Sequence, residues 1–511
     1  MERPLITTTF SASPGSASVG ERKLLFVGQQ LSTGTATAGE LTENIVSRKQ
    51  AKELFGAKSM LYQGIRKYFD LIDFTGTIEK PSLNVIPLAD DGSATKASSA
   101  LIFTGTATEV ADYTISINQY TYTVSVALGD DPEQIMGKFK ALLDADLEVP
   151  VTYTVSTTTT TDDTITFESA NGGSVGNSTQ LKIDGSVAGI TYTIGGASVS
   201  KAFFTGGATN PSLTSLFDAI EGKRFTSFIY PNEYTNTDLL TLLRLRAKYN
   251  NKVLEGYAVI TKDDTYANIQ GTNNFSNEHL VYTTFKKGSR QATSYEVSSQ
   301  LASLLELYLT EGAIVSNLAF SVVTSGGIQN AVVPYHNSIL PTIDVEVDGF
   351  TQEENQQLGS EAFTLIVNNN NNTYPQLDIV YTTRTENLNG NPDSSLLEFN
   401  DRMGMYVCGE YIFNNLKADR DLSKATLTSG SIVNKTQINK EAILAKYNTY
   451  LEFLSNTAGI IDNGRLKELK GLVAANTELN FEERSISSEI SVILVGQLRK
   501  IALNIVKRPN A

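Results

Sequence analysis

The raw material of catalytic and metal sites is scarce in this chain. Its 511 residues include one cysteine, Cys408, and two histidines, His279 and His336. One thiol cannot build a disulfide framework or a cysteine-rich zinc site, and it suits a reducing compartment. A Ser-His-Asp triad needs a histidine beside its nucleophile, and the chain has no Gly-x-Ser-x-Gly elbow. His279 stands at the mouth of a predicted strand and His336 in a Pro-Tyr-His-Asn loop, so both read as structural. The acidic doublets Asp90-Asp91, Asp130-Asp131, Asp162-Asp163 and Asp263-Asp264 lack calcium-loop spacing and read as turns and helix starts. No metal, cofactor or enzymatic activity is expected.

Long apolar runs are missing as well. Nothing approaches the ~20 residues of a membrane helix. In residues 1–20, Leu5, Ile6 and Phe10 sit among threonines and serines, which is not the core of a signal peptide. Membrane insertion is therefore not expected. Positive charge is in deficit: the net charge is -14 and the pI about 4.9. Such a chain grips phosphate backbones poorly, which argues against direct nucleic-acid binding.

What is present is a multi-domain globular composition, with 41% hydrophobic residues over a length that holds several cores. Residues 1–20 read as an extended arm, MERPLITTTF, on a Ser-Ala-Pro-Gly tether. Residues 21–97 open an α/β domain. KLLFVG (23–28) is a strand, 47–55 and 61–69 are helices, Gly56 is a C-cap, and LNVIPL (83–88) is a buried strand. Residues 98–203 alternate apolar and polar residues with period two, as half-buried antiparallel strands do. One helix interrupts them at Asp131-Pro132, with Ile135, Phe139, Leu142 and Leu143 expected inward. The stretch reads as a β-rich domain inserted into the α/β domain.

The α/β rhythm resumes over 204–375. Asn210-Pro211 is expected to open a helix to Ile220, and strands are expected at 225–230, 253–260 and 280–285. Helices follow at 236–250 and at 294–310, the latter with Val297, Leu301, Leu304, Leu305 and Tyr308 on one face. The Gly-rich stretches 171–176 and 206–207 read as a turn and a linker, because neither has the strand, helix and lysine of a phosphate loop. Residues 376–511 form an α+β segment that opens from Gln376 with a strand (LDIVYTT), followed by helices near 394–416, 436–456 and 464–475 and β segments near 486–495 and 498–508. Residues 401–511 carry 15 Lys+Arg against 12 Asp+Glu. The mildly basic C-terminal part thus contrasts with the acidic remainder.

Several motifs, in order, carry a resemblance. KLLFVGQQLSTGTAT (23–37) and SRKQAKELFGAKSML (47–61) are followed by IPLAD, IFTGTAT (102–108) and SVGNSTQLKID (174–184). FTGGATNPSL (204–213), FTQEENQQL (350–358), TTRTENLNGNPDSSLLEFN (382–400) and VGQLRKIALNI (495–505) complete the set. Together they resemble the Mu-like contractile tail sheath proteins of bacteriophages. The arm departs from the Val-Pro-Gly-Val-Tyr opening of many such proteins.

The resemblance implies an α/β core, subtilisin-like but non-catalytic, with the β-rich insertion facing outward. It also implies an α+β C-terminal domain whose terminal strands are exchanged between subunits. The implied partners are further copies of the chain in stacked hexameric rings, a tail tube protein, and baseplate and tail terminator proteins. The implied place is the virion tail, assembled in the host cytoplasm, where contraction drives the tube through the envelope. Ile6, Thr8 and Phe10 at one end, and Ile501, Leu503, Ile505 and Val506 at the other, are the candidate inter-subunit contacts. Arg465, Lys467 and Lys470, on a short helix, are the candidate tube-facing residues. The alternative is a β-rich surface or adhesion protein, against which stands the α/β frame on both sides of the insertion.

Overall fold

The computed structural model describes residues 22–76, 80–157, 162–213, 216–246, 255–310, 320–324, 327–331, 340, 343, 349–367, 375–377, 379–387, 389–419, 426–432, 437–457, 461–480 and 485–488. The N-terminal arm, His336 and the 498–508 strand lie outside these residues.

The chain begins β1 (Lys23–Gln29), α1 (Arg48–Phe55), α2 (Met60–Thr75), β2 (Ser82–Leu88). The caps are legible. The hydroxyls of Ser47 and Ser59 accept from Gln50 N–H and Tyr62 N–H, and Gly76 ends α2 in the left-handed region at φ 65°. The insertion then runs β3 (Ser98–Gly105), β4 (Ala111–Ile117), β5 (Tyr120–Val126), α3 (Pro132–Ala145), β6 (Val151–Thr157), β7 (Asp162–Ser169), β8 (Gln180–Asp184), β9 (Ile190–Ile194) and β10 (Lys201–Phe203). A full capping box at Asp131 and Gln134 starts α3.

The core resumes with α4 (Leu216–Ala219), β11 (Ser227–Ile229), α5 (Asn236–Arg246), β12 (Tyr257–Asp264), α6 (Tyr266–Ile269), β13 (Leu280–Lys286) and α7 (Ser294–Thr310). A hairpin of β14 (Phe320–Thr324) and β15 (Gly327–Ala331) precedes α8 (Gln352–Ser360), β16 (Thr364–Val367) and β17 (Gln376–Leu377). The C-terminal part holds α9 (Phe399–Ala418), β18 (Thr426–Leu427), β19 (Gln437–Ile438), α10 (Lys440–Glu452), α11 (Leu466–Ala475), β20 (Thr477–Asn480) and β21 (Ser485–Ser488).

The core sheet has seven strands in the order β17-β16-β13-β12-β11-β1-β2, parallel except for β17. Alternate residues along each strand feed opposite faces. Leu24, Phe26, Val259 and Val281 pack with α2 and α7, while Leu25, Val27, Ile260 and Tyr282 pack with α4, α5 and α8. The first of these cores continues without a break into Val407, Ile412, Ile443, Leu451 and Leu469 of the C-terminal helices. The insertion has its own core between two four-stranded sheets, β10-β8-β4-β5 and β6-β7-β3-β9.

Four expectations need correction. Leu142 is 39% exposed, because α3 turns Ile135, Met136, Phe139 and Leu143 inward instead. No helix starts at Asn210-Pro211: the Asn210 side chain is taken up by the insertion, accepting from Ser174 N–H at 2.9 Å and Ser174 Oγ–H at 3.0 Å, and the helix forms only over Leu216–Ala219. The strand placed at 253–260 runs Tyr257–Asp264, where its partners in β13 set the register. The strand expected from Gln376 pairs only through Leu377, after which Tyr381 makes an isolated bridge.

Helix α7 is wrapped on all sides. Besides Val297, Leu301, Leu304 and Leu305, its Ser298, Ser299, Gln300, Ser303 and Glu306 are buried. Ser299 and Ser303 hydroxyls donate to the carbonyls four residues back, at 2.8 and 2.6 Å, which satisfies them without a foreign partner. Their small size lets α2 approach closely. A Cβ built on Gly64 would lie 2.5 Å from Tyr295 Cε1 and 2.7 Å from Ser299 Oγ. Gly64→Ala should therefore cost ~1–3 kcal/mol through overpacking. An unchanged thermal midpoint would show that this contact is not tight.

Candidate assembly surface

In a parallel α/β sheet, ligands bind in the crevice beyond the carboxyl ends of the strands. Here the insertion fills that place with residues 171–174. Gln29 Nε2 donates to Asp90 Oδ1 at 2.6 Å and to Gly172 O at 2.7 Å. Gly172 N–H donates to Asp90 Oδ2 at 2.7 Å, and Asn171 Nδ2 donates to Asp90 Oδ1 and to Gln30 O, both at 3.0 Å. Asn171 Oδ1 accepts from Met60 N–H at 2.8 Å, and Tyr234 Oη–H donates to Gln29 Oε1 at 3.0 Å. Glycine at 172 is needed because a Cβ there would meet Ala94 Cβ at 2.7 Å. The stretch is a turn, as expected, but one that locks two domains together. Gly207, in the linker, is also engaged: its N–H donates to Asn177 Oδ1 at 3.0 Å.

The docking continues along α2 and α7. Arg66 donates to Tyr120 Oη at 2.6 Å, Lys67 to Gln119 Oε1 at 2.6 Å, and Gln119 Nε2 to Glu296 Oε1 at 3.1 Å. Lys52 pairs with Glu148 at 3.1 Å. At the far side of the crevice Ser294 Oγ donates to Glu233 Oε1 at 2.9 Å. Burial raises the Glu233 pKa, and burial together with Glu233 pushes Asp263 up to about 7. Ser294 is only 1% exposed and has no imidazole beside it among the described residues: His279 lies at the opposite end of the seven-residue strand β13. There its Nδ1 accepts from Arg402 at 2.9 Å.

The amino ends of the strands form a second buried polar layer, which fastens the C-terminal part. Arg22 donates to Glu306 at 2.9 Å, and Thr226 Oγ–H donates to the same carboxylate at 2.9 Å. Burial disfavours the Arg22 charge, but Glu306, with Tyr406 next, outweighs it and raises the pKa. Arg402 of α9 donates to Gly256 O at 3.1 Å and lies over the rings of Tyr257 and Tyr406. Arg224 bonds to Tyr406 and Glu410. Apart from the Arg402–Tyr406 contact within α9, none of these partners was foreseen, since each pair joins residues 80 or more positions apart.

Of the expected site residues, Ile6, Thr8, Phe10, Ile501, Leu503, Ile505 and Val506 lie outside the described residues. Arg465, Lys467 and Lys470 do share the α11 region. Arg465 makes two bonds to Glu468 at 2.9 and 2.8 Å, Lys470 pairs with Glu452, and Lys467 is exposed. Beside them, β20 and β21 form a two-stranded antiparallel sheet, too small to be stable by itself. Among the described residues no His/Cys/Asp/Glu group suits a metal ion, and no helix is long and apolar enough to cross a membrane.

With this geometry in hand, relatives can be weighed. The chain is 30% identical over 266 residues to the Mu-like prophage FluMu tail sheath protein of Haemophilus influenzae. The match spans half of this chain and half of that relative. No family model matches. Among solved structures, the sheath tail protein of Listeria innocua aligns over 94% of this chain and 93% of its own, at 11% identity and TM-score 0.47. That of Desulfitobacterium hafniense aligns over 96% and 98%, at 10% and 0.44. The resemblance to Mu-like tail sheath proteins read from the motifs is therefore carried by the Haemophilus sequence.

Asp90→Ala should leave Gly172 N–H and Asn171 Nδ2 without their acceptor, at a cost of ~1–3 kcal/mol. Hydrogen exchange should speed up over 170–174 ahead of the rest of the insertion. Unchanged protection there would mean that the crevice contacts do not hold the two domains.

Proposed function

We propose that this chain is a structural subunit of a contractile tail sheath, and that it has no enzymatic role. The observation that carries the reading is the sequence match to a tail sheath protein, joined to a sheet whose ligand crevice is filled by the chain's own Asn171–Ser174 turn. Subunits form hexameric rings, stack around a tube, and contract to drive it through a host envelope. They meet further copies of the chain, a tube protein, and baseplate and terminator proteins in a virion tail assembled in the host cytoplasm. The core is taken as a non-catalytic, subtilisin-like domain, and the insertion as an outward-facing one.

In this reading the two chain ends are the connectors. Ile6, Thr8 and Phe10, and Ile501, Leu503, Ile505 and Val506, add strands to a neighbour's β20–β21 sheet. Support comes from the small size of that sheet and from the apolar character of the terminal run. Interstrand bonds contribute ~0.5–1.5 kcal/mol each and a buried Leu or Ile ~1.5–3 kcal/mol, enough to hold while rigid bodies pivot. Deleting residues 1–12, or ending the chain at Lys500, should leave a folded monomer by circular dichroism that forms no sheath in electron micrographs. Normal polysheath from both truncations would refute the connectors.

Arg465, Lys467 and Lys470 are proposed to face an acidic tube. Two of the three already have acidic partners in their own chain, so Lys467 carries most of the unbalanced charge. Exposed pairs are worth ~0.2–1 kcal/mol each, but a helical array repeats them. Lys467→Glu with Lys470→Glu should weaken loading onto the tube, and salt should weaken the wild-type contact. Equal loading of both proteins at low salt would remove the site.

A further inference from the structure

The insertion repeats a pentapeptide. Thr121-Tyr122-Thr123-Val124-Ser125 lies in β5 and Thr152-Tyr153-Thr154-Val155-Ser156 in β6, each the terminal strand of its sheet. Helix α3 lies between the two, since Lys138 donates to Ser125 O at 2.9 Å and Lys140 reaches the Tyr153 hydroxyl at 3.4 Å.

The four edges of the two sheets differ in what guards them. Lys138 covers Ser125 O on β5. Strand β9 turns back on itself through the Ile194–Ala197 bridge. Strand β10 lies against the core, where Lys201 donates to Gly288 O at 3.1 Å. Among the described residues, strand β6 is guarded at its first residue alone, where Lys58 donates to Val151 O at 3.2 Å.

The register fixes which groups of β6 point outward. Ala170 N–H donates to Pro150 O at 3.0 Å, so residues 150, 152, 154 and 156 bond to β7. The N–H and C=O groups of Tyr153 and Val155 therefore face away from the sheet, and among the described residues nothing meets them. Natural edges are usually blunted by lysine, proline or a bulge. Strand β6 has no charge and no proline, and Val155 is 38% exposed.

We propose that β6 pairs, antiparallel and edge to edge, with β6 of a second copy of this chain. The pentapeptide is its own complement. Centred on Thr154, such a pair sets Tyr153 opposite Val155, Thr154 opposite Thr154 and Thr152 opposite Ser156. Aromatic–β-branched and Thr–Thr or Thr–Ser pairs are the favourable cross-strand combinations. Tyr153 and Val155 then exchange both backbone bonds with their counterparts, four in all by this register. At the contact itself no like charges meet, because β6 holds no charged side chain. The contact is two-fold and closes on a dimer; it cannot propagate into a polar stack, so it does not depend on the sheath reading.

Thr154→Cys tests it in the full-length chain. The paired Thr154 positions form a non-hydrogen-bonded pair, ~4.5 Å between Cα atoms, which a disulfide can span. Mild oxidation with a copper catalyst and dissolved oxygen should give a linked dimer on a non-reducing gel. Cys408 is 1% exposed, and burial pushes its thiol up to about 12, so it stays silent. Thr123→Cys, also exposed in the same pentapeptide on β5, should link more slowly. Adding Val155→Pro to Thr154→Cys removes an outward donor that no bond within the chain uses, so the link should disappear while the melting temperature holds. Should that variant melt early, Val155→Lys serves instead, and it should slow linking severalfold, most at low salt. Linking of Thr154→Cys no faster than of Thr123→Cys, or linking that persists in a folded Val155→Pro or Val155→Lys variant, would overturn the pairing.

Discussion

Everything in this molecule is arranged around the burial of one helix. Over residues 294–307 helix α7 has no solvent face, so its polar side chains cannot turn to water, and an unmet group there costs more than a hydrogen bond contributes. Its Ser299 and Ser303 bond backwards to their own helix, and its two acidic residues reach out at opposite ends. Glu296 accepts from Gln119 of the insertion, and Glu306 accepts from Arg22 and Thr226 at the amino edge of the sheet. Arg22 in turn lies over Tyr406 of α9. One helix thus carries the insertion at its start and the C-terminal part at its end.

This explains why three stretches of different composition behave as a connected whole. The apolar core on the α7 side of the sheet runs on into the C-terminal helices, so the boundary near residue 376 is a change of secondary structure and not a gap in packing. The insertion keeps a separate core but is tied down by charge-assisted and backbone bonds at α1, α2, α7 and the crevice.

The crevice shows how a fold can keep the geometry of a binding cleft while its own chain occupies it. Ser294 sits at the head of a buried helix with a carboxylate beside it, an arrangement that could be mistaken for a nucleophile and its partner. Its burial, and the histidine at the far end of β13, leave it a structural bond. Burial disfavours the charge of Glu233 and of Asp263 and raises both pKa values, with Glu233 adding to the rise at Asp263.

By itself the sequence determined the local vocabulary. Period-two runs marked β4 to β7, Ser47 and Ser59 and the Asp131-Pro132 box marked helix starts, Gly56 marked an end, and the apolar repeat marked α7. The ordered motifs then pointed to the tail sheath family. These signals are legible because strand alternation, helical period and capping each depend on residues within a turn or two of one another. Only the tertiary structure decided that Asn210 would serve Ser174 instead of a helix, that Leu142 would face out, that Asp90 would hold Asn171 and Gly172, and that Glu306 would find Arg22, 284 residues away. It also placed two copies of one pentapeptide at the edges of different sheets, in opposite registers toward their neighbours. The physical reason is the same in each case: which buried polar group meets which is settled when distant surfaces close on each other and exclude water, and no local pattern records that choice.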